Sequence, residues 1–147
     1  MSTFNLQVVA LDRVFYDGPC EALTVPAIDG EKGVLASHEP MVMAITAGEM
    51  RFTAAGQQQV AAVGCGFAEI TRDKVVVITD FAQKPDEIDV EHAERVKVRA
   101  EERIREKKSQ IEFAHSQAEL ARAMAKLKVA RKSSASLGRY LFYHYIM

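Results

Sequence analysis

From Phe4 the chain reads in short alternating or apolar runs separated by turn residues. FNLQV sets Phe4, Leu6 and Val8 on one face, the two-residue period of a half-buried strand. EALTVP reads as a second short strand that Pro26 ends. GEMRFTAAGQQQVAAVG reads as a hairpin with arms MRFT and QQVAAV, and Gly56 supplies the positive φ of its tight turn. GFAEITRDKVVVITD repeats the form, with Arg72-Asp73-Lys74 at the turn and Val75 to Ile78 as a core strand. No helix-length segment precedes Pro85, so the connections are short and the strands mainly antiparallel. That favours a sandwich or barrel over a doubly wound sheet.

At Pro85 the period changes. Beyond Asp89 there is no Pro and only one Gly, Gly138, in text rich in Ala, Glu, Lys and Arg. Asp89 can cap a helix, with Ile88 and Ala93 as a modest staple. Val90, Ala93, Val96 or Lys97, Ala100 and Ile104 trace a narrow stripe. Ser109 followed by Glu112 forms a capping-box pattern, with an apolar run beginning at Ile111, which predicts a second helix; one helix running through is the alternative. The second segment carries Ile111, Ala114, Ala118, Ala121 and Ala125 on one flank and Leu120, Ala123, Leu127 and Ala130 on another. Alanine faces allow close approach but bury little area, so the pair is weakly held and able to open. Lys132 to Gly138 reads as a fraying or linking stretch, followed by an apolar cluster from Tyr140 to Ile146.

Composition narrows the class. The 147 residues are 48% hydrophobic and 27% charged, the balance of a globular chain. Nothing near the N-terminus marks the chain for secretion, and no run approaches the ~20 apolar residues of a membrane helix. Cys20 and Cys65 fit no metal spacing and are expected to be reduced, with Cys65 a small buried residue in VGCGF. The net charge of −1 conceals a division. Residues 1–87 hold 6 basic and 12 acidic residues, net −6, and residues 88–147 hold 13 and 8, net +5. The basic part suits an acidic partner, whether protein, lipid or nucleic acid.

Candidate chemistry concentrates in PAIDGEKGVLASHEP, residues 26–40, and does not survive inspection. Gly30-x-x-Gly33 lacks the Gly-Lys-Ser/Thr ending of a phosphate loop and the helix that must follow it. Both glycines read as turn residues. The histidines, His38, His92, His115 and His144, are scattered without ligand spacing, so no metal or other cofactor is expected. No nucleophile sits beside a base, and no catalytic residue is assigned. On the second helix Arg122, Lys126 and Lys128 form a basic face, followed by Arg131 and Lys132. It reads as a solvated face or as a dock for an acidic protein surface. Without interleaved aromatics it is a poor nucleic-acid surface.

Several stretches, in order, resemble the epsilon subunit family of the bacterial rotary ATP synthase. They are LQVVALDRVFYDGPCEALTVPA, with a Tyr-Asp-Gly turn; Pro26, Gly30, Gly33, Val34, Leu35, His38 and Pro40; ITAGEMRF; VGCGFAEI; KVVVITDFA; and EIDVEHAE. The resemblance covers nearly all of the chain to about Arg131. It implies a flattened antiparallel β-sandwich, residues 1–85, then an antiparallel two-helix hairpin, residues 86–131, with an additional aromatic tail, 132–147. It implies no active site. The implied partners are the gamma subunit, the c-subunit ring and the alpha and beta subunits. No nucleic acid and no obligate homo-oligomer are implied, and contact with the bacterial inner membrane, on its cytoplasmic face, is peripheral and indirect.

By the same resemblance Gly30, Glu31, Lys32 and Gly33 face the c-ring, and His38, Pro40 and Met41 serve the gamma or sandwich interface. The hairpin lies folded or extends along gamma, where Arg122, Lys126 and Lys128 approach an acidic stretch of beta and restrain ATP hydrolysis. Some members bind ATP through an aliphatic-Asp-x-x-Arg-Ala motif. Here Ile88, Asp89 and Ala93 match, His92 replaces the Arg, and Arg122 and Lys126 supply the helix-two cations. The shorter, mostly neutral His predicts weak or absent ATP binding. Ala36 stands where many members have Pro, and the tail is expected to anchor one form of the hairpin. The competing expectations are a generic protein-interaction module and a small nucleic-acid-binding protein.

Overall fold

A computed structural model describes the backbone of residues 2–146 and the side chains of residues 2–132. Ten strands come first: β1 (Phe4–Val9), β2 (Val14–Cys20), β3 (Ala22–Ala27), β4 (Gly30–Leu35), β5 (Met41–Ile45), β6 (Gly48–Ala54), β7 (Gln57–Val63), β8 (Gly66–Ile70), β9 (Lys74–Thr79) and β10 (Ala82–Gln83). A 3-10 turn, Pro85–Glu87, leads into α1 (Val90–Glu106) and α2 (Gln110–Ile146).

The strands follow the order β10-β7-β6-β3-β5-β8-β9-β1-β2, with β4 added on β3. Every pairing is antiparallel except β1 with β9. The sheet folds over itself into the expected sandwich. Tyr16 of β2 and Phe52 of β6 close it, their rings 4.7 Å apart. Phe4, Leu6 and Val8 all point inward as their alternation predicts, joining Leu23, Val25, Met50, Phe52, Val75 and Val77 in one core. In the β6–β7 turn Ala55 and Gly56 both take positive φ, 52° and 76°, which matches the right-handed strand twist.

Three local expectations are corrected. Tyr16-Asp17-Gly18 is not a turn; it lies within β2, where Gly18 pairs with Leu6. The chain reverses earlier, at residues 11–13, where the Ala10 amide donates to Arg13 O at 2.9 Å. Pro26 does not end β3, which continues to Ala27, because the neighbouring carbonyl remains available: Pro26 O accepts from the Thr46 amide at 3.0 Å. Cys65 is exposed, not buried. The crowding belongs to its flanking glycines, since a methyl group on Gly64 would overlap Asp80 Oδ1 and one on Gly66 would overlap Ile78 O. Cys20 is buried, donates to Ala22 O at 3.2 Å, and burial pushes its thiol pKa up. The two cysteines are not bridged.

The helical half starts as its caps predict. Asp89 Oδ1 accepts the His92 amide at 3.0 Å, and Ser109 Oγ accepts the Glu112 amide at 3.1 Å. Lys107 ends α1 in the left-handed region at φ 51°, so two helices form, not one. Ala93 and Ala100 are the buried residues of α1, whose main neighbour is α2, where Ser116 and Ala123 are buried. Small side chains seven apart on each helix allow the close approach inferred from the alanine content.

The first flank of α2 is the less buried one, and of its five residues only Ala125 is buried. Ile111 is 84% exposed, and Ala114, Ala118 and Ala121 are exposed as well. The later turns explain this, because they bury Leu127 and turn Val129 and Ala130 onto the sandwich, where α2 packs on β6 and β7. Ile88 joins Ala62, Val129 and Ala130 in a small second core between hairpin and sandwich. The stretch from Lys132 to Gly138 does not interrupt α2, whose backbone stays helical to Ile146. The aromatic cluster from Tyr140 lies outside the described side chains.

Candidate functional site: an apolar row and a basic helix face

Strand parity creates an outward apolar row. Ala44, Phe67, Ile78, Val9 and Val14 are register partners in sequence across β5, β8, β9, β1 and β2. Phe67 is 60% exposed, Ile78 54% and Val14 55%, while Val9 is half-buried. Val42, two residues before Ala44 on the same face of β5, extends the row. A contiguous apolar band on a sheet face is a docking surface in most soluble chains. Sequence reasoning missed it by reading VVVI only as core. The available signal was parity: Phe67 lies opposite buried Ala68 and Ile70, and Ile78 opposite buried Val75 and Val77.

The residues around the glycine loop are partly brought together. Lys32 and Gly33 share a shallow depression with His38, Met41, Ile28 and Asp29. Gly30 has φ +119° beside the turn at Ile28–Asp29, whereas Gly33 sits inside β4 opposite Thr24. Only Gly30, therefore, is a turn glycine. Lys32 pairs with Asp29 at 3.1 Å, and the lysine holds the Asp29 carboxyl below its ordinary range. His38 Nδ1 lies 2.8 Å from Glu39 O, and Pro40 is exposed beside it. Ala36 packs on the core edge, and Ser37, at φ 65°, is tied to Arg72 O through its amide at 3.1 Å. Among the described residues no cluster of ligating side chains could hold a metal.

The basic face of α2 is already engaged. Lys126 lies over the Phe81 ring, 4.7 Å from its centroid, and burial followed by the nearby Arg122 pushes its ammonium pKa down. Lys128 Nζ is 3.9 Å from Glu49 Oε2, and Lys132 Nζ is 2.7 Å from Glu49 Oε1. Arg51 Nη1 reaches the same carboxylate at 3.0 Å and forks onto Glu31 at 2.6 and 3.2 Å. A chain of charges thus runs from the glycine loop to α2: Glu31, Arg51, Glu49, Lys132. Burial raises the Glu49 pKa, but hydrogen bonds from Lys132 and Arg51 outweigh it and hold the carboxyl below its usual range. Glu49 was not singled out from sequence, although its parity opposite Met50 and Phe52 places it on the helix side of β6.

The ATP-motif positions are dispersed in role. Ile88 is core, Asp89 is a helix cap, His92 is exposed, Ala93 is buried against α2, and Lys126 sits on Phe81. Arg122 is half-buried near Lys126.

Comparison with known proteins matches this architecture part by part. The family model described as "ATP synthase, Delta/Epsilon chain, beta-sandwich domain" matches residues 3–85. The one described as "ATP synthase, Delta/Epsilon chain, long alpha-helix domain" matches residues 86–131. The ATP synthase epsilon chain of Ruminiclostridium cellulolyticum is 46% identical over 132 residues, 90% of this chain and 98% of its own. That of Caldicellulosiruptor saccharolyticus is 38% identical, over 88% and 94%. Among solved structures, a chain of the Euglena gracilis mitochondrial ATP synthase (OSCP/F1/c-ring) superposes with a TM-score of 0.76 at 22% identity. That match covers 88% of this chain and 82% of the other, and shows the same fold. The strand order, the hairpin on β6–β7 and these two matches together place the chain in the ATP synthase delta/epsilon chain family.

Proposed function

We propose that this chain is a non-catalytic central-stalk subunit of a proton-translocating ATP synthase, coupling rotation of the c-ring to the catalytic head through gamma. The observation that carries the reading is the apolar row across β5, β8, β9, β1 and β2, on a sandwich whose other strands β6 and β7 carry the hairpin. A rotor element must be gripped on one side without local unfolding, and a five-strand face with Phe67 and Ile78 at its centre offers such a grip. Gamma occupies this row. The loop with Gly30, Glu31, Lys32 and Gly33 meets the c-ring, and His38, Pro40 and Met41 lie at the border of the two contacts.

The hairpin is the regulatory part. Its apolar attachment to the sandwich is small, built on Ile88, Val129, Ala130 and Ala62. Such an element separates at modest cost, which suits a two-state device. Extended, it presents Arg122, Lys126 and Lys128 to acidic beta-subunit surface and restrains ATP hydrolysis. The chain works at the cytoplasmic face of the bacterial inner membrane, held there through its complex. Among the described residues no helix is long and apolar enough to cross a membrane.

The test is recovery of the tagged chain from detergent-solubilised membranes. Arrival with gamma, alpha, beta and c subunits supports the reading. Arrival alone, or salt-sensitive retention on nucleic acid, overturns it.

A further inference from the structure

The carboxylate of Glu49 has an unusual set of neighbours. Its side chain is fully buried on β6, yet two of its cations come from α2, 79 and 83 residues further along the chain. Lys128 and Lys132 are one helical turn apart and each is about half exposed, so both reach down to one anion from a face otherwise turned to solvent. The cleft in which they meet is lined by Gly48 and Glu49 from β6 and by Ala121, Met124, Lys128 and Lys132 from α2.

We propose that Glu49 is a releasable clasp: it holds the hairpin on the sandwich by occupying Lys128 and Lys132, and so withholds the basic face of α2 from an acidic polypeptide partner. This rests on the reading above, in which that face docks to acidic protein surface. Two features make the clasp reversible. Arg51 stays on Glu49 from the same strand and is itself held by the bidentate contact to Glu31. When α2 lifts, Glu49 therefore keeps a cation and is not stranded as an unpaired buried charge, the outcome that makes broken buried pairs costly. The lysines, for their part, exchange one carboxylate for another. An acidic segment that takes them stands in for Glu49, so that what is left to be offset is the small apolar patch of Val129 and Ala130 on Ala62 and Ile88 and the Lys126 contact with the Phe81 ring.

The experiment uses the full chain and the variants Glu49→Gln and Lys132→Gln, with hydrogen exchange of α2 amides and binding of a poly-glutamate peptide as readouts. Loss of the clasp is expected to speed exchange over residues 120–132 by about tenfold in both variants, with the β1–β9 amides unchanged. Poly-glutamate is expected to bind Glu49→Gln about tenfold tighter than the parent, and Lys132→Gln no tighter, because that variant loses a docking cation along with the clasp. Exchange within about twofold of the parent in both variants overturns the clasp. Lys132 is exposed, so its variant keeps the test decisive if Glu49→Gln disturbs the sandwich. Faster exchange without poly-glutamate binding upholds the clasp and overturns the acidic-partner reading of α2.

Discussion

Arg13, in the turn between β1 and β2, forks onto the Glu87 carboxylate at 2.6 and 2.9 Å and donates to Ala82 O at 2.7 Å. One side chain thereby ties the start of the sandwich to the 3-10 turn that launches the hairpin, 74 residues later. Glu87 also accepts the Lys84 amide at 2.9 Å, which fixes the turn itself. The Arg13 hydrogen bond, then that of Lys84, pulls the Glu87 carboxyl from its ordinary 4.5 to about 2. Because the folded value is depressed, the contribution is complete above pH 4.5 and is lost as the pH falls towards about 2. Carboxyl NMR titration is expected to show Glu87 near that low value, and to show it return towards 4.5 in Arg13→Gln. An unshifted Glu87 in the parent chain would exclude the contact in solution.

Leu127 of α2 is 2% exposed. Leu127→Ala is expected to cost about 2–3 kcal/mol, the usual range for a truncated buried leucine. The loss should fall on the hairpin: amides of α2 exchange faster, while those of β1, β8 and β9 keep their protection. Uniform loss of protection would show that sandwich and hairpin unfold as one unit.

Two glycines separate architecture from tolerance. Gly66→Ala forces a methyl group onto Ile78 O and is expected to destabilise by about 3 kcal/mol, read as a lowered urea midpoint. Gly33→Ala meets nothing within 4 Å and is expected to change stability by less than about 0.5 kcal/mol. A large loss at Gly33 would mean that the loop needs that glycine for its own fold.

The strand half was legible because Leu6, Val8, Val75 and Val77 are buried by plain alternation. The hairpin was legible from its caps, Asp89 and Ser109. What stayed hidden depends on distant packing. Phe67 and Ile78 look like core residues until the register shows them facing out together. Glu49 looks like any strand carboxylate until α2 returns over it. The exposure of Cys65 follows from how tightly Gly64 and Gly66 approach β9 and its following turn, which composition does not reveal.

His92 stands at the arginine position of the ATP motif and is exposed, its amide capping on Asp89. Calorimetry on the isolated chain is expected to give a Kd for ATP weaker than about 10 µM, and His92→Arg is expected to tighten it about tenfold or more. Tighter binding by the parent chain would show that Arg122 and Lys126 suffice.

The grip of the apolar row is tested most directly by titrating the purified gamma subunit into this chain and into Phe67→Glu. Phe67 is 60% exposed, so the variant is expected to fold with an unchanged circular dichroism spectrum. A charge placed at the centre of a desolvated interface is expected to weaken binding about 100-fold or more. Equal affinity of parent and variant would place gamma elsewhere and contradict the assignment of the row.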